Sequence, residues 1–559
     1  MDLEEIGPSR LSLVQHWVLR GGAILLPLAY WPLTYDRYVL PKLLLARFLV
    51  LALALLLIAR ILTSRTVAIK RTPLDLPLLA FAASALLSTI FAVNANVALF
   101  GTYSRYDGVL TLLTYIALFW LAVQTLADSG DARALLRALL VGGYLVATVA
   151  IVQWGADSLA GYQSPRAFGT MGNANVLGAY LGLLFPLAYF ELLAARSGAA
   201  RLLAANVLVI IGLALLMSVS HSAWFGLAVA GAVLLAGRQF PALRSPVRII
   251  AASVAGLAVL AVATPIALSR GTDIPQRLHI WQDSLSLIAS RPLLGYGPDT
   301  FGLVYPGFQT GRWVLGYVQI DKAHSELLQI AATQGLLGVA PYIWITGAFV
   351  AAFWRGRRLE GAWALLAGWA AYQVTLMVNF TALSAAFPFW IFAAAAMVRL
   401  GAAGDMIPAP RRAGKPMTAV SVLVAAGLIA VTVPGLVTPY LADQSLRRAA
   451  DADLAGRPQN EAEPLAADAR ALAPYESVYA AEVGNIAFEY GDWSRARAGY
   501  NDAAELGTFN PVVYRNLALA DLHLGLGSEA VAAAQHAVFL DRFDPVNQAV
   551  YAQVLAGRP

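Results

Sequence analysis

The sequence predicts an all-α protein in which a polytopic bundle of membrane-spanning helices precedes a soluble helical domain. Three observations lead to this fold class. Hydrophobic residues make up 59% of the 559 residues and charged residues only 13%, and the mean hydropathy is +0.64, outside the range of soluble domains. Apolar stretches recur at the length that crosses a bilayer. The last part of the chain is instead rich in Ala and carries an internal repeat.

About thirteen stretches are long enough to cross a bilayer, at roughly 20 residues each. When they alternate from a cytoplasmic N-terminus, every basic cluster between them falls on the inner side, as the positive-inside rule requires. The chain is therefore expected to be a multi-pass protein of the cytoplasmic (inner) membrane. The predicted spans begin near Leu19, Leu43, Leu76, Leu110, Ala134, Ala174, Leu202, Ala223, Ile249, Glu326, Gly361, Ala386 and Met417.

The domain boundaries follow from these spans. A short cytoplasmic segment, 1–18, shows no small-residue cleavage site and is not expected to be a removable signal peptide. The bundle itself is predicted over 19–403 and includes a long outer loop at 270–324. After it come a cytoplasmic linker at 404–416, a last span at 417–440, and a helical domain at 441–559 that thirteen spans place outside.

The C-terminal domain has a period of 34 residues. Small residues at fixed positions let paired helices approach closely, and a Pro after the second helix ends each unit, which is the tetratricopeptide pattern. The stretch 442–474 is predicted to be a degenerate third unit. Repeats of this type bind proteins, so a protein partner is expected. The recurring pairs are Gly491 and Gly525, Ala496 and Ala530, Ala503 and Ala537, and Pro511 and Pro545.

Composition and missing motifs exclude several kinds of chemistry. The chain has no Cys, which rules out disulfides, thiolate catalysis and Cys-ligated metals. Its net charge of +6 lies in short clusters between spans, so no nucleic-acid partner is expected. There is no Walker-type glycine loop, no His-Glu-x-x-His and no Gly-x-Ser-x-Gly. Catalysis is therefore expected to need no metal and no cofactor.

The predicted outer loops contain few charges but hold a set of three arginines. Arg105 lies in Gly-Thr-Tyr-Ser-Arg-Tyr-Asp-Gly, Arg166 in Arg-Ala-Phe-Gly-Thr, and Arg277 in Arg-Leu-His-Ile-Trp. A guanidinium binds phosphate oxygens through a bidentate fork and keeps its charge, so several together predict diphosphate binding without metal. The alternative for each arginine is to reach lipid headgroups or to pair with Asp107, Asp273 or Asp283.

Other polar residues in these loops are candidates for the same site. His324 opens the span His-Ser-Glu-Leu-Leu, where an imidazole is suited to act as a base; the alternative is a local hydrogen bond at a helix end. Asn173 lies in a Gly/Asn loop that can aim backbone donors at an anion or simply form a tight turn. Asp36 and Lys42 flank the second span and have the alternative of pairing with each other.

Taken together, these motifs resemble the bacterial O-antigen ligase and polymerase superfamily over roughly residues 19–400. The resemblance rests on the order and spacing of several blocks, and many relatives also end in tetratricopeptide repeats. The blocks are Asp36-Arg37-Tyr38-Val39-Leu40-Pro41-Lys42, the Gly-Thr-Tyr-Ser-Arg loop, Arg166 with Gly169-Thr170 and Gly172-Asn173-Ala174-Asn175, Arg277 with Trp281, Pro292-Leu293-Leu294-Gly295-Tyr296-Gly297, and His324-Ser325-Glu326 followed by Gly335-Leu336-Leu337-Gly338.

The resemblance implies a GT-C-like bundle of about 12–13 transmembrane helices and a glycosyltransferase activity. Such an enzyme takes a glycan from an undecaprenyl-diphosphate carrier on the outer face and passes it to an acceptor hydroxyl, with inversion and without metal. It implies that His324 activates the hydroxyl and that Arg277 and Arg166 bind the diphosphate. This chain has Ser220-His221 where many relatives have Ser-Arg, so Arg105 or a protonated His221 is expected to replace that charge.

Three activities share these motifs and differ only in the acceptor: ligation of a glycan to a lipid or cell-wall acceptor, polymerisation of repeat units, and O-glycosylation of a protein. Ligation is preferred because the Gly/Asn loop and the His-containing block match it most fully. A transporter of lipid-linked sugar is the alternative from another class. It is less favoured because the apolar runs almost lack the acidic residues that an ion pathway needs.

Overall fold

The computed structural model describes residues 10–63, 68–162, 165–239, 273–311, 319–408 and 415–557. The predicted span near Ile249 and part of the predicted outer loop at 270–324 lie outside these residues. Helices dominate the described chain, with one short two-stranded sheet. The predicted all-α polytopic fold is confirmed, with this small sheet as an addition that the sequence did not indicate.

Nine helices are described in the first half of the bundle, between residues 10 and 239. A hydrophobic core formed mainly by the longer helices fills the space between them. The 3-10 turn Gly169–Met171 precedes α7. The helices are α1 Arg10–Leu28, α2 Leu40–Thr63, α3 Asp75–Ile90, α4 Ala95–Phe100, α5 Val109–Thr125, α6 Ser129–Leu159, α7 Ala174–Ala194, α8 Gly198–Met217 and α9 His221–Gln239.

The second half of the bundle begins after residue 272. Strand β1, Ala68–Arg71, belongs to the first half and pairs with β2 of the second. A second 3-10 turn, Tyr305–Gly307, follows the shortest helix. The elements are α10 Asp273–Ser290, α11 Phe301–Val304, α12 Glu326–Gly356, α13 Ala362–Met377, α14 Leu383–Arg399, β2 Gly404–Pro408 and α15 Lys415–Leu454.

By length and composition, seven of the described helices can cross a membrane, and four more apolar helices are shorter, with 10–17 residues. Twelve of the thirteen predicted spans begin on or beside helices of the bundle. The apolar side chains of α15 are largely exposed, among them Val422, Leu423 and Val431. Exposed apolar faces of this kind are suited to lipid. The chain is a multi-pass membrane protein.

The sheet supports the predicted alternation of the spans. β1 and β2 are antiparallel, with Ala68 opposite Pro408 and Arg71 opposite Gly404. The connection after α2 and the connection after α14 therefore meet on one face of the bundle. The basic residues in these two connections predict that both lie on the inner side of the membrane. We call the opposite face, with loops 29–39, 101–108, 165–173, 218–220 and 319–325, the outer face.

Helix α12 is broken at Gly335, where φ is 66° and ψ is −167°. The segment Pro292–Gly297 packs against the break, and Pro292 O accepts a hydrogen bond from Leu336 N at 2.8 Å while Gly297 N donates to Thr333 O at 2.8 Å. These bonds satisfy backbone groups that the break would otherwise leave unpaired within the bundle. Two of the sequence blocks are thus joined to each other.

Replacing Gly335 by Ala should destabilise the protein. A Cβ at Gly335 would overlap the carbonyl group of Leu293, and the backbone angles are ones that only Gly adopts easily. We expect a loss of at least about 2 kcal/mol, seen as a lower thermal unfolding temperature of the purified protein. Gly347→Ala is the matched control, because nothing lies within 4 Å of a Cβ at that position of the same helix. Equal unfolding temperatures for the two variants would contradict this account of the break.

The C-terminal helices form the predicted repeats. Gly491 and Gly525 both adopt positive φ, 73° and 74°, at the turn inside each helix pair. Pro511 and Pro545 begin α19 and α21, and Asn510 and Asp544 cap those helices, a position where Pro is well tolerated. The helices are α16 Gln459–Leu472, α17 Ser477–Glu489, α18 Trp493–Glu505, α19 Pro511–His523, α20 Gly527–Leu540 and α21 Pro545–Leu555.

The predicted boundary between the last span and the repeats, at 440/441, falls inside one continuous helix. α15 runs from Lys415 to Leu454, and its last turns pack on α16 through Ala442, Leu446 and Ala469. This packing takes the place of the first helix of the predicted degenerate repeat. We call the part of the chain from Ala442 to Gly557 the repeat domain.

The repeat domain rests on the outer face. Asp443 accepts hydrogen bonds from Asp36 N at 2.9 Å, from the Tyr103 hydroxyl and from the Tyr479 hydroxyl at 3.1 Å. Arg542 donates to the carbonyl oxygens of Gln309 and Pro306. The repeats and the predicted outer loops therefore lie on the same side of the bundle, whatever the number of spans.

Candidate functional site

Backbone strain marks one region of the outer face. Among the described residues, five that are not Gly have positive φ: Ser104, Tyr106, Val219, Asp299 and His324. Such a conformation is uncommon for any of them and is a genuine outlier for a β-branched residue such as Val219. Strained residues of this kind cluster at functional sites. Ser104 and Tyr106 flank Arg105, Val219 lies two residues before His221, and His324 is itself a candidate. Asp299 is near none of the candidates in the sequence and contacts Lys322 and Thr102 instead.

His324 lies between the buried Ala323 and the N-terminus of α12. Its φ is 51°, and its backbone carbonyl oxygen accepts a hydrogen bond from Trp281 Nε1 at 3.3 Å. The half-buried imidazole packs edge-on against Phe380, with ring centres 5.5 Å apart. Two of the candidate residues, His324 and Trp281, are therefore in direct contact.

Arg105 reaches the same phenyl ring from another loop. Loop 101–108 holds it between the left-handed residues Ser104 and Tyr106. Its guanidinium lies over Phe380, 5.2 Å from the ring centre, and Nε donates to Asp321 Oδ2 at 2.6 Å. Burial lowers the pKa of Arg105, but the neighbouring carboxylates of Asp321, Asp299 and Asp107 together more than offset this and raise it. Arg105 is thus a permanently charged neighbour of His324 whose charge Asp321 compensates.

Arg277 lies on α10, one turn before Trp281. Its Nη1 donates to Val378 O at 2.6 Å, two residues before Phe380. Three of the four residues Arg105, Arg277, Trp281 and His324 contact the segment 378–380, and the fourth, Trp281, contacts His324. The loop between α13 and α14 is therefore the common support of these candidates.

A second group forms around Arg166. Its Nε donates to Ser218 O at 2.9 Å, and its Nη2 donates to Asn175 Oδ1 at 2.8 Å and to Val219 O at 3.1 Å. Asn173 caps α7 by accepting from the backbone N–H groups of Asn175 and Val176. These bonds fix the direction of the guanidinium relative to the N-terminus of α7, where the helix dipole favours an anion.

His221 is exposed at the start of α9, two residues after Val219, and its ring packs edge-on against Trp224 at 5.3 Å. The adjacent Ser222 connects the group around Arg166 to the group around the segment 378–380. Thr375 Oγ1 donates to Ser222 O at 3.3 Å, and Thr375 lies one turn before Val378, the partner of Arg277. Arg166, His221 and Arg277 thus surround the same ends of α9 and α13.

Lys42 and Asp36 hold backbone in place and do not pair with each other through a described hydrogen bond. Lys42 is 1% exposed, and its Nζ donates to the carbonyl oxygens of Ala29, Tyr38 and Thr170 at 2.6–2.8 Å. Asp36 accepts from the backbone N–H groups of Tyr38, Val39 and Leu40. Since Thr170 belongs to the loop that follows Arg166, Lys42 supports that loop, while Asp36 supports the turn that begins α2.

A buried ionic cluster that the sequence did not indicate lies beneath Arg105 and His324. Lys322, 2% exposed, donates to Asp107 at 2.8 Å and to Asp299 at 2.7 Å. Asp299 also accepts from the backbone and the hydroxyl of Thr102. Burial raises the pKa of Asp107 against the opposing effect of Lys322. The cluster joins loop 101–108 to the segments that carry Asp299 and His324.

Two further residues of the site were missed. Phe380, the ring between Arg105 and His324, is an ordinary apolar residue in the sequence. Glu326, 9% exposed, accepts from Thr381 N at 2.7 Å and so fastens the 378–381 segment to α12. Its position two residues after His324 was a signal, but nothing in the sequence indicated its partner. Within the described ranges no three His, Cys, Asp or Glu side chains form a group that could hold a metal.

The fold and this site together define a multi-pass helical membrane protein with arginines and a histidine gathered on one face. A family model described as O-antigen ligase matches residues 206–343. The matched region confirms the resemblance inferred from the motifs. It contains His221, Arg277, Trp281 and His324, and it ends inside α12, eight residues after the break at Gly335.

Two other comparisons add little to this assignment. No curated protein matches the chain significantly. Among solved structures, the chain is similar to the crystal structure of the APC/C hetero-tetramer Cut9-Hcn1 with 13% sequence identity, over 80% of this chain and 91% of that one. The TM-score of 0.20 is too low to carry an argument about the fold.

Proposed function

We propose that this protein is a membrane glycosyltransferase that moves a glycan from an undecaprenyl-diphosphate carrier to an acceptor hydroxyl on the outer face of the cytoplasmic membrane. The family match supports a glycan ligase or polymerase type of function. The observation that carries the finer proposal is the convergence of Arg105, Arg277 and His324 on the segment 378–380. A guanidinium can stabilise the charge that develops on a departing diphosphate, and an imidazole can accept the proton of an acceptor hydroxyl, so the two together suit transfer from a diphosphate.

The proposed reaction is a direct displacement. The acceptor oxygen attacks the anomeric carbon, and its proton passes to the His324 imidazole. The bond between the anomeric carbon and the diphosphate oxygen breaks, and its electron pair leaves with the carrier diphosphate. Arg277 and Arg166 stabilise the charge that develops on that oxygen, with Arg105 and His221 nearby. Attack from the side opposite the leaving group inverts the anomeric configuration.

The acceptor separates three versions of this proposal. Ligation to a lipid or cell-wall acceptor is preferred, and the alternatives are polymerisation of glycan repeat units and O-glycosylation of a protein. Contact between the repeat domain and loop 101–108 favours an acceptor or partner that reaches the site past the repeats. Transport of the intact lipid-linked sugar is less favoured, because it requires no base at His324.

Arg277→Ala should weaken donor binding. Loss of a charge-assisted contact to phosphate costs about 1.5–3 kcal/mol, so the KM for a synthetic polyprenyl-diphosphate glycan should rise about 10- to 100-fold. The assay is release of carrier diphosphate by the purified protein. Arg291→Ala is the matched control, since Arg291 follows α10 and stacks on Tyr296 at 4.7 Å instead. An unchanged donor KM in Arg277→Ala would refute the proposed role of Arg277 in diphosphate binding. Separately, loss of wild-type activity on adding a chelator would refute the expectation that transfer needs no metal.

A further inference from the structure

A cleft of about 370 Å³ separates the repeat domain from loop 101–108. One wall consists of residues 101–105 of that loop together with Asp321. The other wall consists of the two repeat connections at 475–478 and 506–510. The volume lies within the range of small-molecule sites, about 300–1,000 Å³. The cleft is formed only because the repeat domain rests on the bundle.

The two walls are held at a fixed separation. Asn96 Nδ2 donates to Tyr475 O at 2.8 Å and to Leu506 O at 3.2 Å, so one amide side chain ties both repeat connections to α4. Phe100 stacks on Tyr475 with ring centres 4.2 Å apart. Asp443 joins Tyr103 to Tyr479 behind the cleft. These contacts fix the position of the repeat connections relative to loop 101–108 and therefore the shape of the cleft.

The charged side chains among the described residues that line the cleft are either paired or buried. Arg105 and Asp321 form an ion pair at 2.6 Å, and they neutralise each other at its inner end. Glu476 is 5% exposed, so its carboxyl is largely withdrawn from the cleft, and burial raises its pKa to about 8. What the walls present to a ligand is therefore hydroxyl, amide and aromatic groups, which select a neutral polar molecule over an ion.

The inner end of the cleft lies close to the proposed catalytic base. Arg105 lines the cleft and lies over Phe380 at 5.2 Å, and the His324 ring packs on the same Phe380 at 5.5 Å. A ligand at the Arg105 end is thus one phenyl ring away from His324. Of the residues proposed to bind the donor, Arg105 alone is among the described residues that line this space.

We propose that this cleft binds a neutral saccharide, which is the acceptor end of the reaction. That the saccharide is the acceptor rests on the proposed function, whereas the binding of a saccharide in the cleft does not. Tyr475, Tyr103 and Phe509 supply aromatic surface, and Ser477, Thr508 and Asn510 supply polar groups. Ring faces with a few polar groups around them suit a sugar, whose own faces are apolar and whose edges carry hydroxyls. The repeat domain is then part of the substrate site.

The test uses the full-length purified protein and a panel of neutral oligosaccharides with about two to six sugar rings. Equilibrium binding should detect at least one member. Ser477→Trp fills the cleft and should weaken that binding at least tenfold. Phe509→Leu, in the second repeat connection of the same wall, keeps an apolar contact with Gly302 but removes an aromatic face and should also weaken it. Ser528→Trp is the matched control, because Ser528 occupies the first turn of α20 outside the cleft.

Each outcome decides a separate question. No binding by any saccharide, or equal binding by wild type, Ser477→Trp and Phe509→Leu, would overturn the cleft as a saccharide site. Tighter binding of a Ser/Thr-rich peptide that Ser477→Trp abolishes would overturn the ligand class. The His324→Asn variant should bind saccharide normally. Saccharide binding without any glycan transfer would refute the proposed function and leave the cleft assignment standing.

Discussion

His324→Asn should reduce glycan transfer by about 10²- to 10⁴-fold, the contribution of a general base, while the protein stays folded. Asn is the informative replacement because His324 has a φ of 51°, and Asn tolerates the left-handed region better than most residues. The amide cannot accept the proton of an acceptor hydroxyl. The loss should appear in kcat, with little change in donor KM, since His324 is not expected to hold the diphosphate.

The control for this variant is His279→Asn. His279 is exposed on α10, in the same part of the chain, and is not part of the proposed site. Its replacement should leave kcat within about twofold of wild type. The base assignment fails if transfer by His324→Asn matches that of His279→Asn. A thermal unfolding measurement on both variants checks that they are equally folded before their transfer rates are compared.

Lys322→Met should cost about 3–5 kcal/mol of stability, because it leaves Asp107 and Asp299 buried without their shared cation. Lys322 bridges the two carboxylates at 2.8 and 2.7 Å. The same change should impair transfer, because Asp299 holds Thr102, and Thr102 O accepts from the backbone N–H of Arg105 at 3.0 Å. Thermal unfolding of the purified variant measures the first effect and donor KM the second.

A triple variant distinguishes the effect of unpaired buried charge from the effect of altered packing at Lys322. Combining Lys322→Met with Asp107→Asn and Asp299→Asn removes both buried charges, and Asn suits the positive φ of Asp299, 56°. We expect this triple variant to regain part of the stability that Lys322→Met loses. Arg447→Met removes an exposed pair with Asp451 and should change stability by less than about 1 kcal/mol. A triple variant less stable than Lys322→Met alone would contradict the ionic explanation.

The sequence singled out many residues of the candidate site because chemistry and topology left few choices. Arginines are scarce in the outer loops, so Arg105, Arg166 and Arg277 stood out before any contact was known. His324 stood out because it opens a span. What the sequence could not show was the support: Phe380 is one apolar residue among many, and its role depends on the path of the loop between α13 and α14.

The ionic cluster was missed for a related reason. Lys322 lies two residues before His324, and its partners are 215 and 23 residues away. Pairing at such separations is fixed by the tertiary fold and leaves no local pattern. Asp107 was considered only as a partner for an arginine. In the structure Arg105 pairs instead with Asp321 at 2.6 Å. Asp107 and Asp299 both pair with Lys322.

The position of the repeat domain shows where counting spans is weak. One misjudged short helix would reverse the predicted side, whereas contacts of Asp443 with Asp36 and Tyr103 fix the repeats beside the outer loops directly. The break at Gly335 was similarly hidden. A Gly-Leu-Leu-Gly block inside an apolar run reads as helix, and only its packing on Pro292–Gly297 shows why Gly is needed.

The most direct test of the central claim is a transfer measurement in proteoliposomes. A synthetic polyprenyl-diphosphate glycan is placed in the membrane, and a membrane-impermeant acceptor is supplied on the side that carries the repeat domain. We predict that glycosylated acceptor and free carrier diphosphate appear in equal amounts, and only with the acceptor on that side. Movement of the intact donor across the membrane without release of carrier diphosphate, or product formation on the opposite side alone, would contradict this account.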